Sequence, residues 1–451
     1  MKIIVVGCGK IGSCIISSLV AEGHDIVAVD TNSSVVDEMS NLYDVMSVCG
    51  NGADYDTLSE AGVGKAEMLV AATGSDELNM LCCFFASKMG AGHTVARIRN
   101  PEFNDQNLGF MKQQLGISLV INPELLAARE MYNILKFPTA LNIENFSHRN
   151  FEMIEIRLKN DSVLAGLSLT ELRKKFPGEY LISTVGRADG VFIPDGNFVL
   201  QGGDRIGIIA NLSHLYKLLK NLGKLKAAAK SVMILGASTT AFYLAKMLTK
   251  SGNSVKIIDK DKARCEQISE VLPEAVIIMG DGAEQDLLLE EGIRNTDAFV
   301  SLTGMDEENI LISFFASSQD VQKVITKVNR DELGDMAEKL GLDCIISPKN
   351  IVSDVVLRYA RALQNSIDSN IETLYRVMGG QAEVIEFNVL PDFKYVNIPL
   401  RNLNTKDNIL VAGIIRGRKA IIPTGDDVIM PSDRVVIVSS GKHINELSDI
   451  V

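Results

Sequence analysis

Met1-Lys-Ile-Ile-Val-Val-Gly-Cys-Gly-Lys-Ile-Gly12 decides the fold. A short apolar run enters a turn with glycines at 7, 9 and 12. Gly7 lets the chain leave a strand sharply. Gly9 removes the side chain where a diphosphate would approach the backbone, and Gly12 lets the next helix pack close to the sheet. That helix aims free N–H groups and about half a positive charge at the turn. Asp30 closes a second apolar run, Asp25-Ile-Val-Ala-Val29, at a spacing that suits the two hydroxyls of a ribose. A carboxylate there repels a 2′-phosphate, which favours NAD(H) or an adenosine nucleotide over NADP(H).

Much of the chain then happens twice. Ser231-Val-Met-Ile-Leu-Gly-Ala-Ser-Thr-Thr-Ala241 enters a similar turn, and Asp259 closes Val255-Lys-Ile-Ile258. Gly50-Asn-Gly-Ala-Asp54 matches Gly280-Asp-Gly-Ala-Glu284, and Ala72-Thr-Gly-Ser-Asp-Glu-Leu-Asn79 matches Leu302-Thr-Gly-Met-Asp-Glu-Glu-Asn309. The offset stays near 230 throughout, a register that chance similarity does not keep.

Within each copy, short β-branched runs alternate with helix-length amphipathic segments. Strands are expected at 2–6, 26–30, 45–48, 67–72, 94–98 and 118–121. Helices are expected at 10–22, 33–40, 55–61, 75–89 and 104–115, with another over 124–136 behind Asn122-Pro123. This alternation builds a doubly wound parallel sheet, a Rossmann-like fold. A smaller β-rich module follows each copy, with strands expected at 151–159, 181–187, 190–193 and 204–210 in the first. The fold class is therefore α/β: two tandem Rossmann-like sheets, each followed by a small α+β domain. The division is 1–140, 141–215, a linker at 216–230, 231–368 and 369–451. Five lysines (217, 220, 224, 226, 230) mark a solvated helical linker or a contact with an acidic lipid or partner.

Bulk properties exclude several classes. A net charge of −12 argues against nucleic acid as partner, because phosphate backbones call for basic patches. No apolar window approaches the ~20 residues of a membrane span, and no secretory leader is evident. The seven cysteines contain no C-x-x-C pair, which fits a reducing compartment. His24, His93, His148, His214 and His443 show no metal-ligand spacing. The small modules carry no paired acid and base, so no catalytic residue is assigned.

The candidate nucleotide site in the first copy gathers Gly7, Cys8, Gly9, Lys10, Ile11 and Gly12 with Asp30. Lys10 can reach a terminal phosphate, and Cys8 is a small filler or a thiol acidified by the helix end. Asn51, Gly52 and Asp54 follow the third strand and face adenine; Thr73, Asp76 and Glu77 line the mouth. Arg97 and Arg99 alternate on a strand, for phosphate or for salt bridges to nearby acids. In the second copy Gly236, Ser238, Asp259 and Asp281 hold the matching positions, with Lys327 and Asn329 in place of the arginines. Ser238 puts a side chain where close approach needs none, so this copy binds a shorter nucleotide or is a decayed copy kept for packing. Arg187 and Arg416, on equivalent turns of the small modules, serve a second ligand, a dimer contact or a solvated turn.

Val5-Val-Gly-Cys-Gly-Lys-Ile-Gly12, Gly50-Asn-Gly-Ala-Asp54, Ala72-Thr-Gly-Ser-Asp-Glu-Leu-Asn79, Ala96-Arg-Ile-Arg-Asn-Pro-Glu102 and Ile121-Asn-Pro-Glu124, in this order and doubled, resemble the TrkA family of Trk-type potassium-uptake regulators. The likeness covers nearly the whole chain and implies tandem domains of the kind that regulate potassium conductance (RCK domains). It further implies a peripheral subunit on the cytoplasmic face of a membrane potassium transporter and assembly with itself as a homodimer or homotetramer ring. NAD+, NADH or ATP/ADP would bind at the glycine turn, with ring shape passing to the pore. A nicotinamide-dependent dehydrogenase, a free-standing redox or transcription sensor and a nucleotide-independent channel regulator are the competing readings.

Overall fold

The computed structural model describes residues 1–101, 105–137, 139–146, 151–187, 189–223, 227–368, 371–441, 444 and 446–451. Glu102, His148, Lys224, Lys226 and His443 lie outside them.

The first copy alternates β1 (Lys2–Val6), β2 (Asp25–Asp30), β3 (Met46–Cys49), β4 (Met68–Ala71), β5 (His93–Arg97) and β6 (Leu119–Ile121) with helices α1 (Lys10–Ala21), α2 (Ser33–Tyr43), α3 (Tyr55–Glu60), α4 (Asp76–Met89), α5 (Asp105–Leu115) and α6 (Pro123–Lys136). Its parallel sheet runs β3-β2-β1-β4-β5-β6. Ile3, Ile4 and Val5 of β1 are fully buried because helices cover both faces of such a sheet, which is why the run is uninterruptedly apolar. The order reverses between β1 and β4, and the carboxyl ends of those strands frame the crevice where ligands bind in doubly wound folds.

The small module after it holds β7 (Asn142–Asn145), β8 (Glu152–Arg157), α7 (Leu169–Lys175), β9 (Tyr180–Arg187), β10 (Gly190–Phe192), β11 (Arg205–Ala210) and α8 (Leu212–Asn221), with an antiparallel sheet ordered β10-β9-β11-β8-β7. The second copy repeats the first with β12 (Ser231–Leu235), β13 (Ser254–Asp259), β14 (Val276–Met279), β15 (Ala298–Ser301), β16 (Lys323–Lys327) and β17 (Ile345–Ile346). Its helices are α9 (Thr239–Lys250), α10 (Lys262–Val271), α11 (Gln285–Glu290), α12 (Asp306–Ser318), α13 (Asp331–Lys339) and α14 (Pro348–Asp368), on a sheet ordered β14-β13-β12-β15-β16-β17. The last module, β18 (Ile371–Val377), β19 (Ala382–Asn388), β20 (Ile409–Arg416), β21 (Lys419–Ile421) and β22 (Arg434–Ser440), is ordered β18-β19-β22-β20-β21, the same topology as its counterpart.

Three features depart from the sequence expectation. Edge strands β7 and β18 are absent from the expected set; β7 is four residues long with Ile143 its one apolar residue, too short for a periodic signal. Helix α7 was also not expected, although Ser168 and Glu171 form a capping box at its start. The start of the 216–230 stretch is not solvated linker. It belongs to α8, whose Leu215, Leu218 and Leu219 are buried in the small module's core, along with Leu222 just beyond.

The chain packs as two compact units: Met1–Tyr132 with Lys230–Ala360, and Asn133–Ala229 with Arg361–Val451. In the first unit the two Rossmann-like copies meet reciprocally. From α14, Ser353 Oγ donates to Cys14 O of α1 at 3.2 Å and lies 2.8 Å from Ser18 Oγ. From α9, Tyr243 OH donates to Arg99 O at 3.3 Å and lies 3.2 Å from Asn122 Nδ2, beside the start of α6. Helix α1 thus meets α14, and its equivalent α9 meets the α6 end, the self-complementary pattern of a two-fold dimer fused into one chain. In the second unit the small sheets share a core that joins Phe151, Met153 and Ile209 to Met378, Val384 and Val436. Glu155 Oε1 accepts from the Met378 N–H at 2.9 Å across it.

Candidate functional site

The glycine turn is built around close approaches. Gly7 has φ +88°, and a Cβ there would lie 2.7 Å from Thr73 N. A Cβ on Gly12 would lie 1.8 Å from Gly7 O. At Gly9 a Cβ would meet nothing within 4 Å, and no side chain caps the first turn of α1. The helix therefore presents its N–H groups to an open space, the arrangement that binds phosphate. Asp30 accepts from Cys8 N at 2.8 Å through Oδ2 and from Asn32 N at 2.9 Å through Oδ1. These bonds orient its carboxylate at the cleft wall and leave lone pairs for a ligand.

The cleft has a volume of about 780 Å³, within the range of a nucleotide site. From the first copy it is lined by Gly7, Gly9, Lys10 and Ile11, by Asp30, by Asn51 and Gly52, by Thr73, and by Arg97 and Glu124. Ser238, Thr239, Thr240, Lys327, Asn329 and Lys349 of the second copy line the same cleft. One side chain sets the Thr73 and Arg97 positions. Asn79, fully buried, accepts from Thr73 N at 2.8 Å and donates to Arg97 O at 2.9 Å, tying the β4 exit to the β5 end. Asn309 repeats this with Thr303 N at 2.9 Å and Lys327 O at 3.0 Å. Neither asparagine, nor Glu124, Thr239, Thr240 or Lys349, was assigned to the site from the sequence. The identical Asn in both repeats was the available signal.

Cys8, Gly12, Asp54, Glu77 and Arg99 stand apart from the cleft wall. Cys8 is buried, and burial first, then the Asp30 charge, push its thiol up to about 12, so it is a filler and not a thiolate. Gly12 is packed behind the turn. Asp54 is the N-cap of α3, accepting from Thr57 N at 3.0 Å, and Glu77 is exposed, accepting from Ser75 Oγ at 2.8 Å. The Thr57 N–H, then its hydroxyl, hold the Asp54 carboxyl below the usual range. Arg99 lies past the end of β5, where the alternation rule no longer applies. Its N–H donates to Asp76 at 2.8 Å, and its guanidinium bonds Asp76 and the Gly74 carbonyl. The salt-bridge reading of this residue describes the geometry. Arg97 points at the cleft, 3.9 Å from Glu124. Burial, then the Arg99 cation, push it below the usual guanidinium range, with Glu124 opposing.

The second turn resembles the first in backbone and differs in what fills it. Gly236 has φ +98°, and Asp259 accepts from Ala237 N at 2.5 Å. Ser238 Oγ, however, accepts from Ala241 N at 3.3 Å, placing a side-chain oxygen where the first copy leaves a free donor. Asp281 is 3.6 Å from Lys260. Gly236, Asp259 and Asp281 do not line the cleft. In the small modules Arg187 pairs with Asp204 at 2.7 Å and Arg416 with Asp433 at 2.8 Å, so both arginines hold their hairpins. Among the described residues no group of three His, Cys, Asp or Glu could hold a metal, and no helix is long and apolar enough to cross a membrane.

Fold and cleft together define a tandem Rossmann-like protein with a nucleotide-type site. The chain belongs to the TrkA family: the TrkA-N domain matches residues 3–123 and 232–348, and the TrkA-C domain matches 153–223 and 384–451. It is similar to the Trk system potassium uptake protein TrkA homolog of Archaeoglobus fulgidus, 31% identical over 450 residues and spanning all of both chains. It is also similar to Trk system potassium uptake protein TrkA of Vibrio alginolyticus, 30% identical over 454 residues, 99% of this chain and 98% of that one. Among solved structures, the GsuK RCK domain aligns at TM-score 0.63 and 17% identity, covering 98% of this chain and 92% of that one. The GsuK channel bound to NAD aligns at TM-score 0.63 over 77% of its chain. At 17% identity these two likenesses establish the fold.

Proposed function

We propose that this chain is a regulatory subunit of a membrane potassium-uptake system. It acts on the cytoplasmic side and carries out no chemical step. An adenine nucleotide, NAD(H) or ATP/ADP, binds the first-copy cleft as a signal, and the occupied chain passes a change of shape, within a self-assembled ring, to the transporter. One observation carries this reading: an uncapped glycine turn facing Asp30 across a cleft of nucleotide size, in a chain of the TrkA family. The donor set fits the ligand. Bare N–H groups suit a diphosphate, Asp30 suits two ribose hydroxyls, and Asn51 at the third strand's exit offers amide groups to adenine.

Only differential affinity can drive such a switch. Moving a two-state assembly from 1:99 to 99:1 takes about 5.5 kcal/mol. Shared among four sites, this is about 1.4 kcal/mol each, a tenfold preference and the size of one charge-assisted contact. Calorimetric titration of the full chain with NADH, NAD+, ATP and ADP tests the ligand step. One nucleotide per chain is expected, weakened at least about tenfold by Asp30→Ala, which removes the sugar's acceptor. Absence of binding by all four, or indifference to Asp30→Ala, overturns the reading.

A further inference from the structure

Arg99 is held through main chain and side chain alike, and one of the holds comes from the other copy. Its N–H donates to buried Asp76 at 2.8 Å, and its guanidinium bonds Asp76 and the Gly74 carbonyl. Gly74 sits between Thr73 and Ser75 in the loop after β4, and all three line the cleft. The Arg99 carbonyl accepts twice, from Asn122 Nδ2 at 3.3 Å and from Tyr243 OH of α9 at 3.3 Å. Asn122 Nδ2 also donates to the Tyr243 oxygen at 3.2 Å, which closes a ring of three hydrogen bonds. Asn122 Oδ1 caps α6 by accepting from Leu125 N at 2.9 Å, and the next two residues, Pro123 and Glu124, line the cleft as well. The half-buried phenol thus ties together two lining segments, the 73–75 loop and the start of α6, without lining the cleft itself.

At the equivalent positions with the copies exchanged, this brace is missing. Cys14 stands in α1 where Tyr243 stands in α9, Ser347 precedes α14 as Asn122 precedes α6, and Asn329 replaces Arg99. Cys14 Sγ lies 3.4 Å from Asn350 Oδ1, Ser347 Oγ is buried without a hydrogen bond, and the Asn329 amide is spent on Asp306 at 2.9 Å. The fold therefore does not call for the phenol. The segments it braces belong to the copy whose glycine turn is open.

We propose that Tyr243 is a positioning residue for the first-copy cleft: its hydroxyl, through Arg99 and Asn122, holds the 73–75 loop and the start of α6 at the spacing a nucleotide needs. This rests on the nucleotide reading of that cleft. A wall fixed before binding spares the ligand the cost of ordering it, so the hydroxyl acts on affinity without touching the ligand. Its effect is the same for every nucleotide held there, because it addresses no group of the ligand.

The test is titration of the full chain with NAD+ and ATP, comparing wild type with Tyr243→Phe, Tyr243→Met, Arg99→Met, Asp30→Ala and the Tyr243→Phe, Arg99→Met pair. Tyr243→Phe keeps the ring and should weaken both nucleotides about fivefold. The pair should lose much less than the product of its two single losses, since the hydroxyl reaches the loop through Arg99. In the ligand-free chain, amide exchange over residues 73–75 should quicken about fivefold in Tyr243→Phe. A bond that only holds the fold together would lower the melting temperature and leave the affinity of the folded chain unchanged. Tyr243→Met is included so that misfolding of one variant does not decide the result. Unchanged affinity in a folded Tyr243 variant overturns the proposal, as does a loss confined to one nucleotide or a fully multiplicative loss in the pair. If Asp30→Ala weakens both nucleotides while the Tyr243 variants do nothing, only the brace falls. If wild type binds neither, the nucleotide reading falls with it.

Discussion

The two glycine turns share a backbone and part company at one atom. In the first, Gly9 leaves the end of α1 open; in the second, Ser238 Oγ closes the end of α9 on itself. The acids at the ends of β2 and β13 accept equivalent N–H pairs, so Asp30 and Asp259 do not tell the copies apart. The distinction lies in whether the helix's donors are spent inside the protein. On the proposed nucleotide reading, a repeat keeps the fold and the carboxylate of the site while its helix donors are spent on a side-chain cap. The packing of α1 on α14 and of α9 against the start of α6 then turns the filled copy toward the open one's cleft.

The strongest way to break this comparison is to exchange the third turn position. Ala241 is fully buried in the second copy, so that turn accommodates a methyl. The first does not, because the same methyl on Gly12 would meet the Gly7 carbonyl, which is backbone and cannot rotate away. Gly12→Ala should destabilise the chain by about 2 kcal/mol and, by displacing the phosphate-facing N–H groups, weaken nucleotide binding about a hundredfold. Ala241→Gly should cost about 1 kcal/mol of helix stability and leave binding alone. Thermal melts and titrations of both variants check this; equal binding losses would show that the copies are not distinguished by their turns.

A gentler exchange isolates the cap. Gly9 has φ −67° and open space around its missing Cβ, so Gly9→Ser is free of strain and clash. The new hydroxyl should cap α1 as Ser238 caps α9, raising stability by a few tenths of a kcal/mol. The same hydroxyl occupies the donor that a phosphate needs, and affinity should fall about tenfold or more. Ser238→Gly should cost a few tenths of a kcal/mol and leave the stoichiometry at one nucleotide per chain. A second bound nucleotide in that variant would show the cap alone to be what closes the site.

How legible this was depended on range along the chain. Continuous apolar runs such as Ile3–Val6, glycines at strand exits and an acid at the end of β2 are local consequences of a parallel sheet covered on both faces, and they were readable from residues 1–30. Arg99 was misleading because its spacing from Arg97 implies a shared face, yet β5 stops at Arg97 and Asp76 takes the next main-chain donors. Asp54 has the spacing of an N-cap as much as of an adenine contact, and it caps. The facing of Lys327 and Lys349 toward the first copy's cleft has no local signature. It follows from packing between helices more than 300 residues apart, Cys14 with Ser353 among them.

The small modules offer a further test, one that leaves nucleotide binding aside and turns on pH. Glu152 in β8 and Glu383 in β19 occupy equivalent positions, since Glu155 and Glu386 stand three residues on in each. Glu383 is buried against Arg361 at 3.1 Å, whereas Glu152 is buried with Oε2 making no hydrogen bond. Burial pushes the Glu152 carboxyl above its usual range. A carboxyl whose value is raised on folding favours the folded state while that state keeps its proton. That benefit is present below the ordinary value of about 4.3 and is lost as pH rises through the higher folded value. Glu152→Gln should therefore match wild type near pH 4 and exceed it by on the order of 1 kcal/mol at pH 7. Glu383→Gln, by removing the carboxylate from Arg361, should cost about 3 kcal/mol at pH 7. Denaturant titrations of both variants at the two pH values check the pair. A Glu152→Gln chain less stable than wild type at pH 7 would mean that this carboxylate has a cationic partner in the folded protein after all.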